Sequence, residues 1–537
     1  MYEAMMADNL YTKLPLDGLS IRLLRLLEPS TSEPPLLECE LFVASLPLDS
    51  FTPWPDYKAL SYVWREQRPP SNLPEREAIC CNGVEVNIPR NLHDALARLQ
   101  QAYATPLILW VDYLCINQSN VIERNNQVAL MRVIFSRSAE VIIWLGEPKT
   151  EQCSEYLRSL SHRPPRWEGD SGDNVMLGQY RNSYRRGSKY NQFENLEGHS
   201  FGVFCLLSLL SQKVPTTEIS FFDSALEFKR QSIWTNNLRS AISDIVDRAW
   251  WKRTWVIQEC ALATKATVHY GYLAASWDMF SRASQFYRDS LHWSELTRAS
   301  PDDPLSKLLL AVSRIDSVRA SVRQNEVLQP LQTLRRFRTA QATGPRDKVF
   351  GFLGLLNEPF MLPNYKITRN RVYLSAAERI MVSTKNLDLL NGTTCSVDSG
   401  LPSWCPDWSS PPVGNEWQRL ECLEAYNASK NITSPIIRSH AQPGPTLILE
   451  GLGVFADQID YVVSDPAPLK GGFSSLKQGM MCWDDDVRQK LGFDGNPLES
   501  NDYESTLPSL PEEQWFAQGY ADAFHTDTLR RSHRHSQ

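Results

Sequence analysis

The chain has 537 residues, 42% of them apolar and 22% charged, with 16 tryptophans and a formal net charge of −7. That length favours two to four domains with ample material for packed cores, and the acidic balance excludes a general nucleic-acid binder. The opening residues lack a basic segment followed by an apolar one, and the longest apolar run, "FGVFCLLSLL" at 201–210, is too short to cross a bilayer. The 11 cysteines show no C-x-x-C spacing and are odd in number, so no disulfide framework is expected. These features predict a cytoplasmic protein, off the membrane, in which the sequons at Asn391, Asn427 and Asn431 carry little weight.

In chain order, "SIRLLRLLEP" and "LLECELFVASL" read as a pair of strands, and "YKALSYVW" (57–64) as a third. "AICCNGVEVNI" carries an Asn82-Gly83 turn typical of a tight hairpin. A helix is expected in "NLHDALARLQQAY", with Leu92, Leu96 and Leu99 on one face and Asn91 and Asp94 spaced as a capping pair. "LILWVDYLCI" (107–116) reads as a strand buried on both faces, followed by a helix from about 120 to 137 and a second buried strand, "VIIWLG" (141–146). Alternation of strand and helix predicts a parallel sheet, with 107–116 and 141–146 as adjacent strands joined by the intervening helix.

Between 148 and about 240 the pattern is interrupted by a polar, Gly- and Arg-rich insertion around one buried helix. It resumes with a tryptophan-rich helix over "DIVDRAWWKRTWVIQECALA" (244–263) and a strand at "ATVHYGY". The expected layout is an α/β domain over 14–275, a helical region over 300–400, and a mixed α+β region over 401–510 that includes "TLILEGLGVFADQIDYVV". A disordered tail is expected over 511–537.

In a parallel sheet, ligands gather beyond the carboxyl ends of the strands, where Asp112, Asn117 and Gln118 would lie. Glu123 sits on the inward face of the next helix near its N-terminus, where both a reciprocal cap with Asn120 and a site role are open. At helical spacing Glu259 shares a face with Trp251, Trp255 and Leu262. A carboxylate there costs several kcal/mol, roughly, if unpaired, so it is either salt-bridged, to Arg248, Arg253 or a distant arginine, or tuned by desolvation toward acid–base work. Ser61 and Trp64 lie near the same edge, although a strand serine bonded to backbone and a packed Trp64 and Trp110 are the commoner arrangements. Cys115 on a buried strand is expected to be inert. The chain contains no phosphate-loop, dinucleotide-fingerprint, zincin or nucleophile-elbow motif.

Several blocks together resemble the heterokaryon-incompatibility (HET) domain family of filamentous fungi. They are "YKALSYVW", "NLHDALARL", "LWVDYLCINQSNVIERNNQVALMRVIFSRSAEVIIWLGE" and "RAWWKRTWVIQE", with "PLDGLSIRLLRLLEP" upstream and "GPRDKVFGFLGLL" and "LPSWCPDWS" downstream. The family usually has glycine after the SYxW tryptophan; this chain has Arg65. The resemblance implies nonself recognition and programmed cell death. It also implies, through a remote likeness to TIR domains, a flavodoxin-like α/β fold with a helical insertion and a mainly helical α+β C-terminal region. Some TIR domains cleave NAD with a glutamate in a W-x-x-x-E helix, and Trp255 and Glu259 have that spacing. On this reading Glu259 is catalytic, NAD is a substrate rather than a cofactor, and no metal is needed. Ser61, Trp64, Asp112, Asn117, Gln118, Glu123 and Trp255 would then bind the substrate. The alternative is a noncatalytic module that recruits other incompatibility proteins or self-associates.

Overall fold

The computed structural model describes residues 10–29, 36–46, 54–64, 74–103, 106–148, 200–222, 229–290, 303–356, 360–385, 388–390, 399–411, 436–441 and 447–451. The chain divides into two units, residues 1–417 and 418–537. Of the second unit the described part is an antiparallel strand pair, Ile436–Ala441 with Leu447–Gly451. Arg65, the polar part of the insertion and the 511–537 tail lie outside the described residues.

Nine strands of the first unit form one mixed sheet: β1 (Ser20–Leu26), β2 (Glu38–Ser45), β3 (Lys58–Ser61), β4 (Arg76–Cys81), β5 (Val84–Pro89), β6 (Leu107–Trp110), β7 (Glu140–Trp144), β8 (Ala266–Tyr270) and β9 (Leu273–Ser276). Their order is β5-β4-β2-β1-β6-β3-β7-β8-β9. The centre, β6-β3-β7-β8, is parallel throughout, and antiparallel β1 and β9 close it on either side. The fold is therefore α/β with a mixed sheet. Sequence-adjacent strands with short connections pair antiparallel, as in β1–β2, β4–β5 and β8–β9, whereas parallel pairing requires a crossover long enough for a helix. Asn82 and Gly83 both take positive φ, 50° and 75°, as the two-residue hairpin turn demands.

Four expectations from the sequence are corrected. The strands at 107–110 and 140–144 are not neighbours, because β3 lies between them and pairs in parallel with both. The first of them stops at Trp110: Asp112–Cys115 is a single helical turn in which the Leu114 and Cys115 amides bond back to the Val111 carbonyl. An apolar run does not distinguish a strand from a strand followed by a buried turn. The helix α1 (Arg90–Ala102) starts without a side-chain cap. Instead, Asn91 donates to the Val63 carbonyl (2.7 Å) and accepts from Trp144 Nε1 (2.9 Å), tying the ends of β3 and β7 together. Finally, 244–263 is not one helix, as described next.

The helix α2 (Val121–Arg137) is N-capped by Asn120, whose side chain accepts from the Ile122 and Glu123 amides. Next come the buried α3 (Ser200–Ser211) and α4 (Lys229–Val246), a 3-10 turn at Ala249–Lys252, and α5 (Trp255–Leu262). Trp251 therefore lies on the turn and bonds the Ile245 carbonyl, off the face that carries Trp255 and Glu259. The break coincides with a backbone bridge to a distant segment. Gln341 donates to the Lys252 carbonyl and accepts from the Thr254 amide, so backbone groups that would extend the helix are engaged elsewhere. Beyond the sheet stand α6 (Trp277–Ser290), α7 (Pro304–Arg323), α8 (Pro330–Arg336) and α9 (Arg369–Thr384), the helix-rich stretch expected after residue 300. The buried Arg319 of α7 donates to the Cys260 carbonyl (2.5 Å) and the Thr264 carbonyl (3.2 Å), placing a cation at the C-terminal end of α5.

Candidate functional site

β6, β3 and β7 run parallel, so their carboxyl ends share one edge of the sheet, and α5 packs on β3 and β7 there. Ser61 is the last residue of β3; Tyr62 to Trp64 continue from it, and Asp112 follows the end of β6. Glu259, on the second turn of α5, is 4% exposed. Its carboxylate accepts a hydrogen bond from Ser61 Oγ. The same hydroxyl oxygen accepts from Trp250 Nε1 at 2.8 Å, so the serine is oriented from one side by the indole and serves the carboxylate from the other.

Asp112 stands half-buried at the same edge. It accepts from Trp64 Nε1 (2.9 Å) and from the Tyr113 amide (2.7 Å), and the Trp64 ring meets Tyr113 edge to face at 5.2 Å. Tyr62, 1% exposed, places its phenol beside that carboxyl. Arg253 donates to the Tyr62 carbonyl and bears on both acids through space.

This electrostatic arrangement is lopsided. Burial lifts the Glu259 carboxyl from its ordinary range to about 7, with the charge of Asp112 adding to the rise and Arg253 and the Ser61 hydrogen bond opposing it. Burial likewise raises Asp112, against Arg253 and the hydrogen bonds that it accepts from Trp64 and the Tyr113 amide. Two desolvated carboxyls face one guanidinium, and a proton held near neutrality relieves the imbalance. Such a group can give or take a proton at cellular pH. Cys115, by contrast, is buried with its thiol pushed up to about 12, as expected of an inert core cysteine.

The other candidates gather around a different cation. Glu123 receives both Arg22 nitrogens, at 2.6 and 3.1 Å, and the Asn117 amide at 2.7 Å. Asn117 spends its carbonyl oxygen on Ser119, accepting from the amide (3.1 Å) and the hydroxyl (2.6 Å). Gln118 donates to the Asp112 carbonyl at 3.0 Å, the link between this corner and the Asp112 turn. Gln127 donates to the Ser20 carbonyl. The structure thus brings Ser61, Trp64, Asp112 and Glu259 together around Arg253, and gathers Asn117 and Glu123 around Arg22. Trp255, one helical turn before Glu259, donates its indole N–H to Asp347. Trp250 and Tyr62 were not singled out from the sequence, and Asn91 was read there only as a helix cap. The adjacent tryptophans of "AWWK" gave no sign of which indole turns toward Ser61.

Among the described residues no group of His, Cys, Asp and Glu is arranged to hold a metal ion, and no helix is long and apolar enough to cross a membrane.

A parallel sheet centre with a buried, proton-poised carboxylate at its carboxyl edge defines an α/β domain with a candidate active site. Residues 57–259 match the family described as Heterokaryon incompatibility protein (HET), a span that begins at β3 and ends on Glu259 itself. That stretch of the chain is therefore similar to the HET domain. It is also similar to "Heterokaryon incompatibility protein 6, OR allele" of Neurospora crassa, 24% identical over 438 residues, which are 74% of this chain and 59% of the relative. The chain thus aligns with under two thirds of that protein's length. No solved structure matches the chain.

Proposed function

We propose that this protein acts in heterokaryon incompatibility as a cytoplasmic cell-death effector, and that its HET domain cleaves NAD at the nicotinamide–ribose bond in the manner of a TIR domain. The family match and the named relative support the first part. The observation that carries the second is the Glu259 carboxyl, fixed by Ser61 at the carboxyl edge of the parallel strands and poised at about 7. Nicotinamide leaves as a neutral amine, so the demand on the protein is to stabilise an electron-poor ribosyl centre, which a desolvated carboxylate does well. In this reading Glu259 faces the ribose, Ser61 and Trp250 hold it, and Trp64 and Asp112 form the rim. Asn117, Gln118 and Glu123 shape the wall behind Asp112 instead of touching substrate. The activity would be engaged through other incompatibility proteins or through self-association.

One observation favours the noncatalytic reading. Glu259 is nearly sealed from solvent and already hydrogen-bonded, so substrate entry requires α5 or the Trp64 segment to move. Overexpression in a fungal cell, followed by growth and NAD content, separates the two. The enzyme reading expects toxicity with NAD depletion, both abolished in Glu259→Gln while the variant keeps its folded yield. Toxicity that persists in Glu259→Gln with NAD unchanged would favour the recruiting module.

A further inference from the structure

The match to the family ends at residue 259, yet the helix bearing Glu259 is gripped by residues 80 to 100 positions further on. The grip begins at the backbone, where Gln341 bridges Lys252 and Thr254 immediately before α5. It continues at Asp347, whose carboxyl accepts from the Trp255 indole and, at 2.6 Å, from the Tyr365 hydroxyl. Tyr365 is itself anchored on α2. Its amide donates to Asn125 Oδ1 (3.0 Å), and the Arg124 guanidinium lies 3.9 Å from its ring centroid.

Two glycines then let the segment lie flush against α5. A Cβ at Gly351 would stand 2.7 Å from Thr254 Cγ2 and 2.9 Å from the Asp347 carbonyl oxygen. A Cβ at Gly354 would stand 2.7 Å from Gln258 Oε1 and 3.4 Å from the Arg132 Cα. The Gly354 amide donates to Gln258 (3.2 Å) while its carbonyl accepts from Arg132 (2.6 Å), so this one residue joins α5 to α2. Contacts of this closeness set the depth of a helix to within a few tenths of an ångström, and the Ser61–Glu259 hydrogen bond has no more tolerance than that.

We propose that Asp347 is a positioning residue of the Glu259 site, and that with Gly351 and Gly354 it holds α5 at the depth at which Glu259 reaches Ser61. The site is then completed by residues 341–356 and Tyr365, beyond the matched span. The proposal rests on Glu259 being the centre of the site but not on NAD being its substrate. Asp347 touches no reacting atom and works through Trp255. It also competes for Arg253, which bears on Asp347 as well as on Asp112 and Glu259.

The charged groups that face Glu259 are Arg253 and Asp112, with the Ser61 hydroxyl as its hydrogen-bond donor. Asp347→Asn removes one claim on Arg253 and loosens the Trp255 tether. The first change favours ionised Glu259, whereas the second draws it from Ser61, whose hydrogen bond favours the ionised form, and so moves its titration up. The measurement is an infrared titration of the full chain, with the Glu259 carboxyl band assigned by its loss in Glu259→Gln. We expect a midpoint near 7 in the unaltered protein, higher by about half a pH unit or more in Gly354→Ala, which shifts α5 without altering a charge, and lower in Asp347→Asn than in Gly354→Ala. Tyr365→Phe, which deletes one hydroxyl and no charge, should give a smaller upward shift, and it stands in for Asp347→Asn if that variant does not fold. Midpoints unchanged in the folded variants would overturn the proposal. NAD turnover measured on the same samples keeps the two readings apart, since a chain that never consumes NAD refutes the cleavage reading while leaving the titration result to decide the role of Asp347.

Discussion

Two carboxylates at the same edge of the sheet, half-buried Glu123 and buried Glu259, are treated in opposite ways. Glu123 meets a forked guanidinium, Arg22, that is 1% exposed and also bonds the Leu14 and Cys115 carbonyls, and Glu123 caps the Asn117 amide as well. Charge and hydrogen bonds are matched, and the pair pins β1 to the turn before α2. Glu259 has a serine for a donor and an arginine acting through space that it shares with Asp112 and Asp347. The first arrangement spends a carboxylate on architecture. The second keeps one under-compensated, and that is the condition for a proton to come and go near pH 7.

The same substitution should therefore have unequal consequences. Glu123→Gln leaves Arg22 buried without its counter-charge, and a cost of about 3–5 kcal/mol in unfolding free energy is expected. Denaturant unfolding at pH 7.5, on the order of physiological pH, measures it. A loss no larger than that of Glu259→Gln would break the comparison.

The next largest effect lies in the pH dependence. The Glu259 carboxyl is raised in the folded state, to about 7 from its ordinary 4.5, so the native protein holds this proton more tightly than the unfolded chain. Its stabilising contribution is fully present below about pH 4.5 and is lost as pH rises through about 7, a span worth up to about 3 kcal/mol. Glu259→Gln cannot ionise. Subtracting its stability–pH curve from that of the unaltered protein should give a difference that falls through this window and is flat above it. A flat difference throughout would mean that Glu259 is paired as Glu123 is.

The smallest effect calibrates the other two. Arg25 and Glu40 form an ion pair across β1 and β2 at 2.8 Å, with both side chains 40% or more exposed. Solvent screens such a pair, and Arg25→Gln should change stability by less than about 1 kcal/mol, an effect that salt diminishes further. A larger loss would show that proximity alone, and not burial, separates Arg22 from Arg25.

Much of the fold was legible before any coordinates. The Asn82-Gly83 hairpin, the apolar stripe of α1, the Asn120 cap and the fully buried β7 follow from local chemistry. Strand order was not legible, since β3 enters between β6 and β7 from almost 50 residues upstream of the first of them. Apolar pattern fixes which residues are buried, not which strand lies beside which. In the site, Glu259 stood out because a carboxylate among tryptophans demands an account. Glu123 was left open between a cap and a site role, and nothing local revealed that Arg22, a residue on an apolar strand, would claim it.

By itself the sequence determined the local elements, the burial of Glu259 and the likeness of 57–259 to the HET family, because turn chemistry, periodicity and long motifs are carried by residues close together in the chain. Tertiary structure alone decided which buried acid has a counter-ion, where the tryptophan-rich helix breaks, and that Gln341, Asp347 and Gly354 close upon it. The physical reason is that pairing and desolvation depend on distances across space, and residues 61, 112, 253, 259 and 347 meet only after the sheet has brought its strand ends to one edge.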